Sequence, residues 1–158
     1  MDNTTILNPL ITVENLWKVF GCDDKNFSPQ DPEQLSRLEN SNAITAIKDV
    51  SFSVRKGEIF VIMGLSGSGK STLIRCLLRL VEPSFGTIKI KDQNLMTMDE
   101  NQLTQFRRSS VAMVFQHYGL LPHRNVLDNV SFGLKLAGVN PQERAERAAE
   151  ALRIVGLS

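Results

Sequence analysis
The chain has 158 residues, 42% hydrophobic and 22% charged, a balance that suits one soluble globular domain. A formal net charge of +1 argues against a general nucleic-acid binder, which carries a basic excess. Two cysteines far apart, Cys22 and Cys76, argue against a disulfide framework or a cysteine metal site, and no apolar run approaches the ~20 residues of a membrane span.

Met1 to Pro9 is polar, carries no basic-then-apolar leader, and is expected to fray. Leu10 to Val13 reads as a strand. Asn15 to Gly21 follows with Leu16 and Phe20 as apolar positions and a glycine to stop it; its aromatics Trp17 and Phe20 read equally as core or strand-face residues. Cys22 to Ala43 holds Pro29, Pro32 and five acidic residues, and reads as a surface insertion with a short helix over Gln34 to Leu38. From Ile44, strand character returns through Ile47, Val50, Phe52 and Val54 to a turn at Arg55-Lys56-Gly57-Glu58.

The most informative stretch comes next. Glu58 to Met63 is a short apolar, β-rich segment. It leads into Gly64-Leu65-Ser66-Gly67-Ser68-Gly69-Lys70-Ser71-Thr72, which meets every required position of G-x-x-x-x-G-K-[ST]. Leu73, Cys76, Leu77 and Leu80 then recur at helical spacing, and Cys76 reads as a buried thiol on that apolar stripe. Strand, glycine loop and helix make a phosphate cradle. The glycines admit backbone conformations that a Cβ would penalise, successive N–H groups form an anion nest, and the helix adds its positive end. Lys70 would place an ammonium between β- and γ-phosphates, and Ser71 would give its hydroxyl to Mg²⁺. The competing reading is a glycine-rich turn with a chance lysine, and the matching flanks weigh against it.

Val81 to Gly86 reads as a turn, and Thr87 to Lys91 alternates as a half-exposed strand belonging with the earlier ones in an antiparallel unit. Thr97 to Glu100 has capping-box spacing, so a helix should run to about Arg108. Val111 to Phe115 reads as a buried strand with Gln116 at its tip, either a site residue or simply a polar strand end. Val126 to Gly133 begins another helix. Asn140-Pro141 starts the last one, with Ala145, Ala148, Ala149, Leu152 and Val155 on one face and Gly156 as its stop.

Taken together, the Gly64–Thr72 loop, Val111 to Gln116, Leu121-Pro122 and Val126 to Val130 resemble an ABC-transporter ATPase subunit. Glu58 to Thr72, Ala112 to Gln116, Leu136 to Val139 and the insertion after Gly21 look closest to the ATPases of quaternary-amine importers for glycine betaine, proline or choline. The resemblance implies an α/β fold: a P-loop NTPase core (58–80), an antiparallel β subdomain, a Q-loop region (111–126) and the start of a helical subdomain (140–156). It implies ATP and Mg²⁺ as cofactors, with Phe20 stacking on adenine and Gly64, Leu65, Ser66, Gly67, Ser68, Gly69, Lys70, Ser71 and Thr72 holding phosphates. Ser71 and Gln116 would serve the metal, and His117 to Val126 would face a membrane subunit. His117 and His123 do not match the family's switch histidine.

The implied partners are permease subunits, a second ATPase subunit and, indirectly, a substrate-binding protein, at the cytoplasmic face of the membrane. The family's signature, Walker B aspartate, following glutamate and switch histidine have no match before Ser158. The chain is therefore expected to be the N-terminal, truncated part of a longer subunit, with no catalytic residue of its own. Importer motor and nucleotide-binding-only piece are the two readings this leaves. A small-molecule kinase would need an arginine-rich lid, and the only adjacent pair, Arg107-Arg108, reads as a helix end.

Overall fold
The computed structural model describes residues 8–21, 27–116 and 119–157. They belong to two compact units, Met1–Gln105 and Phe106–Ser158.

The first unit is built on an antiparallel sheet in the order β2-β1-β3-β4. Strand β1 (Ile11–Phe20) is central, flanked by β2 (Ile44–Val54) and β3 (Phe85–Ile90), with the two-residue β4 (Gln93–Asn94) at one edge. The segments read separately as Leu10–Val13 and Asn15–Gly21 are one strand. It pairs Ile11 with Val54 and Phe20 with Ile44 on one side, and Ile11 with Ile90 and Trp17 with Phe85 on the other.

Asn15 is the irregularity that divided the pattern. It adopts a left-handed conformation (φ 47°), which a short polar side chain tolerates. Its N–H donates to Ser51 Oγ at 2.8 Å and its Nδ2 to Asp49 Oδ1 at 3.0 Å. The ladder shifts register here on both sides of β1. Gly86 lies across the bulge at φ 103°; a Cβ there would meet Asn15 O at 2.5 Å and Glu14 O at 2.7 Å.

Val13, Leu16, Ile47, Val54, Ile88, Ile90 and Leu95 are buried in this unit. The alternation read over Thr87–Lys91 holds, with Ile88 and Ile90 buried and Lys89 exposed. The insertion is more than a surface loop. Its helix α1 (Pro32–Glu39) is capped by Asp31 and buries no residue, yet Phe27 packs on Trp17 with ring centroids 5.6 Å apart, joined by Leu35 and Leu38. Cys22 lies outside the described residues.

Helix α2 (Lys70–Leu77) buries Leu73 and Cys76. Burial pushes the Cys76 thiol up to about 11, against a lowering by the charge of Lys18, so at neutral pH it is a protonated core group. The helix ends earlier than the spacing to Leu80 suggested, because Arg79 turns left-handed (φ 47°). Its guanidinium donates to the carbonyls of Leu95 (2.5 Å) and Met98 (2.9 Å) and to Glu82 Oε2 (2.9 Å). The capping box also differs. Asp99, not Thr97, caps α3 (Glu100–Ser110): Asp99 Oδ1 accepts from Gln102 N at 2.8 Å, and Gln102 Oε1 accepts from Asp99 N at 3.0 Å. Thr97 closes a 3₁₀ turn (Leu95–Thr97) by donating to Asn94 O at 3.0 Å.

Two strands expected from apolar runs are not paired. Residues 58–63 carry no ladder, and Ile59 is 90% exposed; Phe60 is held by stacking on Phe52, centroids 4.8 Å apart at 9°. Residues 111–115 of the second unit likewise form no strand, and Val114 is 97% exposed, so the expectation of a buried strand is overturned there. Strand propensity describes fit to a pleated, half-buried surface, and among the described residues neither run has a neighbouring strand to supply one.

Beyond the last residues of α3, the second unit contains three helices among its described residues: α4 (Val126–Val130), α5 (Phe132–Leu136) and α6 (Pro141–Ile154). The single helix read from Val126 is two short ones meeting at Ser131. Asn140 caps α6 by accepting from Glu143 N at 3.0 Å, as Asn-Pro predicts. Of its small-residue face only Ala148 is buried; Leu152 is half-buried, and Ala145, Ala149 and Val155 are exposed.

Replacing Gly86 by Ala should lower unfolding stability by at least ~2 kcal/mol, since left-handed strain adds to a clash with backbone. Gly57→Ala, also left-handed but with open space around it, should cost less. Urea midpoints of the two variants check this ordering.

Candidate nucleotide site
The loop Gly64–Gly69 leaves the exposed segment at Met63 and turns over itself, with Ser68 N donating to Leu65 O at 3.2 Å. Gly67 (φ 81°) and Gly69 (φ 84°) take the left-handed conformations that the motif needs. Gly69 is also the residue before α2, and a Cβ on it would run into the backbone carbonyl of Ala46 in β2. The helix therefore starts hard against the sheet.

The loop, the start of α2 and β2 enclose a cleft of about 380 Å³. Thr45, Ala46, Ile47 and Lys48 form its β2 wall, and Gly64, Ser68, Gly69 and Lys70 its loop side, with Leu73 below. The N–H groups of Gly69, Lys70 and Ser71 have no acceptor among the described residues, as expected at a helix N-terminus. Lys70 Nζ donates to Gly64 O at 2.9 Å and Leu65 O at 2.7 Å and reaches Ser68 Oγ at 3.4 Å. The Lys70 side chain and the N-terminus of α2, through Gly69 and Lys70, border one concave surface with no Asp or Glu among its described lining residues. That donor set fits the phosphates of a nucleotide.

Ser71 is exposed in the first turn of α2 and Thr72 is half-buried behind it; Leu65 and Ser66 form the exposed tip. A magnesium ion at such a site takes a single hydroxyl plus phosphate oxygens and water, which Ser71 can supply. Among the described residues no cluster of three or more His, Cys, Asp or Glu could hold a metal unaided. Gln116 belongs to the second unit, where it is an exposed bend residue, and His117 lies outside the described residues.

Phe20 does not line the cleft itself. It is 41% exposed at the end of β1 and pairs with Ile44, the neighbour of the β2 wall. Its side of the sheet is set by Lys18, two residues back, whose Nζ lies 4.9 Å from the ring centroid. Phe20 and Lys18 therefore share one face of β1, opposite Trp17 and Val19, which cluster with Phe27. Sequence reading overlooked the β2 wall and Lys18. The wall has no signal of its own, since only strand register brings it to the loop; the i, i+2 spacing of Lys18 and Phe20 could have been noticed.

These features define a P-loop nucleotide-binding unit joined to an antiparallel sheet. The model of the ABC transporter family matches residues 47–158, and the chain belongs to that family. It is 45% identical over 150 residues to the ATP-binding protein ProV of the glycine betaine/proline betaine transport system of Escherichia coli (strain K12), matching 93% of this chain and 38% of that protein. It is 43% identical over 153 residues to the ATP-binding protein TmoW of the trimethylamine N-oxide transport system of Ruegeria pomeroyi, matching 96% of this chain and 45% of that one. The chain thus spans about two fifths of the length of these relatives. Among solved structures it resembles a dimeric ATP-binding cassette in a post-hydrolysis state bound to ADP and Pi. The TM-score is 0.73 at 29% identity, over 90% of this chain and 56% of that one. The expected α/β ATPase fold is borne out by this likeness.

Gly69→Ala should force α2 away from β2 and open the cleft, because neither the Ala46 carbonyl nor the helix backbone can yield as a flexible side chain would. Both thermal stability and Mg-ATP affinity should fall, whereas Gly67→Ala, with nothing within 4 Å, should disturb stability less. Parallel melting curves and calorimetric titrations measure the contrast.

Proposed function
We propose that this chain is the ATP-binding portion of the ATPase subunit of an ABC importer that takes up a quaternary amine osmolyte such as glycine betaine, proline or choline. The observation carrying the proposal is the phosphate cradle: Lys70 and the amides of Gly69, Lys70 and Ser71, without acceptors among the described residues, beside a cleft lined by no described Asp or Glu. The relatives named for glycine betaine, proline betaine and trimethylamine N-oxide transport support the substrate class, methylated or quaternary amines, at 43–45% identity. In this reading the partners are permease subunits, a second ATPase subunit and, indirectly, a substrate-binding protein, and the site of action is the cytoplasmic face of the membrane. No helix among the described residues is long and apolar enough to cross a membrane, so attachment would come through the permease.

The chemistry supplied by ATP with Mg²⁺ is phosphoryl transfer to water, driven by positioning and charge balance. The work of this chain's residues is to bind. Lys70 gives up its loop carbonyls for phosphate oxygens, the amides of Gly69–Ser71 donate to the same group, and Ser71 offers a hydroxyl to the metal. Phe20 would stack on the base and favour adenine, and by the family resemblance alone Gln116 would serve the metal and the attacking water. Because no carboxylate among the described residues lines the cleft, a nucleotide-binding-only role for this chain by itself is the second reading.

Lys70→Ala should weaken Mg-ATP binding about 10- to 100-fold, the loss of one or two charge-assisted hydrogen bonds. Equal affinity of variant and parent by calorimetry would refute the cradle. Phe20→Ala should weaken ATP binding and leave inorganic tripolyphosphate nearly unchanged; parallel losses for both ligands would show a structural effect in place of stacking.

A further inference from the structure
Lys18 is a charged residue only 6% exposed, on a strand that otherwise buries Leu16, Trp17 and Val19. A long cationic side chain so placed costs desolvation unless its ammonium meets compensating groups. One such group is the Phe20 ring, whose centroid lies 4.9 Å from Nζ. A planar ring has two faces. With the ring 41% exposed, an inner position for Lys18 leaves the outer face for a ligand.

We propose that Lys18 is a positioning and specificity-determining residue for the nucleotide base: it holds the Phe20 ring from beneath and draws electron density from it. This rests on the reading of Phe20 as the adenine platform. Two consequences follow from elementary electrostatics. The ring is pre-oriented, so less rotamer freedom is lost when a base arrives. A cation on one face makes the other less negative, which favours stacking by an electron-rich purine over a smaller, poorer pyrimidine. Strand alternation sets Lys18 and the Phe20 ring on the face of β1 away from the insertion that covers Trp17 and Phe27.

The test uses the chain as it stands, with ATP, UTP and inorganic tripolyphosphate as probes, each with Mg²⁺, titrated by calorimetry. Lys18→Met keeps most of the aliphatic stem and removes the charge; it should weaken ATP about 3- to 10-fold. UTP should change less, and tripolyphosphate should stay within about twofold. Lys18→Arg, which retains a cation able to lie against a ring, should restore most of the ATP affinity even if Lys18→Met proves poorly folded. Combined with Phe20→Ala, Lys18→Met should add no further loss, because it acts through the ring. Weakened ATP binding in Phe20→Ala with none in Lys18→Met would overturn the role of Lys18 alone. Unchanged ATP binding in Phe20→Ala would overturn the platform reading and this inference with it. Equal losses of ATP and tripolyphosphate in Lys18→Met, or additive losses in the double variant, would also reject it.

Discussion

The contact between Gly69 and the Ala46 carbonyl is the constraint on which the site depends. It joins the first turn of a helix to the middle of a strand with no side chain between them. Two backbones in contact have nothing flexible to give, unlike two side chains that can repack. β2 supplies one wall of the cleft and α2 the amides and the ammonium; their separation is fixed at this point. Leu73 and Cys76, buried one and two turns further on, keep the helix from rocking about it. Phe20 is tied in through its pairing with Ile44 at the start of the same strand.

The charge arrangement is local. The whole chain carries a net charge of +1, which by itself steers nothing. At the cleft, however, Lys48 and Lys70 stand among neutral residues, and the helix N-terminus adds its own positive end. Lys18 adds a third cation in a different setting, under an aromatic ring and largely out of water. Anion recognition here would come from where a few donors stand, not from bulk composition. Lys70 held by the loop's own carbonyls shows how those donors are kept in place: oxygens of the loop stand where phosphate oxygens would compete for the same ammonium.

The apolar runs at 58–63 and 111–115 show another side of the same physics. Both have the composition of central parallel strands, yet among the described residues neither is paired, and Ile59, Met63 and Val114 face water. Such segments present unpaired main-chain groups beside exposed apolar surface, a combination prone to pairing with another chain. The stacking of Phe60 on Phe52 ties the first run to β2 without any ladder hydrogen bonds. The exposed face of α6, with Val155 and the residues near it, is similarly without cover among the described residues.

Sequence alone determined the features that depend on few neighbours. The glycine loop, the Lys70 and Ser71 positions, the alternation of Ile88 and Ile90 and the Asn140 cap are set by conformational preference and local hydrogen bonding within a few residues. They could therefore be read directly. The family resemblance rested on the glycine loop together with Val111 to Gln116, Leu121-Pro122 and Val126 to Val130, and the match over residues 47–158 agrees with it. Tertiary structure decided what depends on residues far apart. It merged two segments into one strand at the Asn15 bulge, because Ser51 and Asp49 supply its partners from β2. It docked Phe27 on Trp17 and brought Thr45–Lys48 to the loop. It also left 58–63 and 111–115 without strand partners among the described residues. Strand pairing is a relation between two segments, and the amino acids of one segment cannot specify whether the other is there.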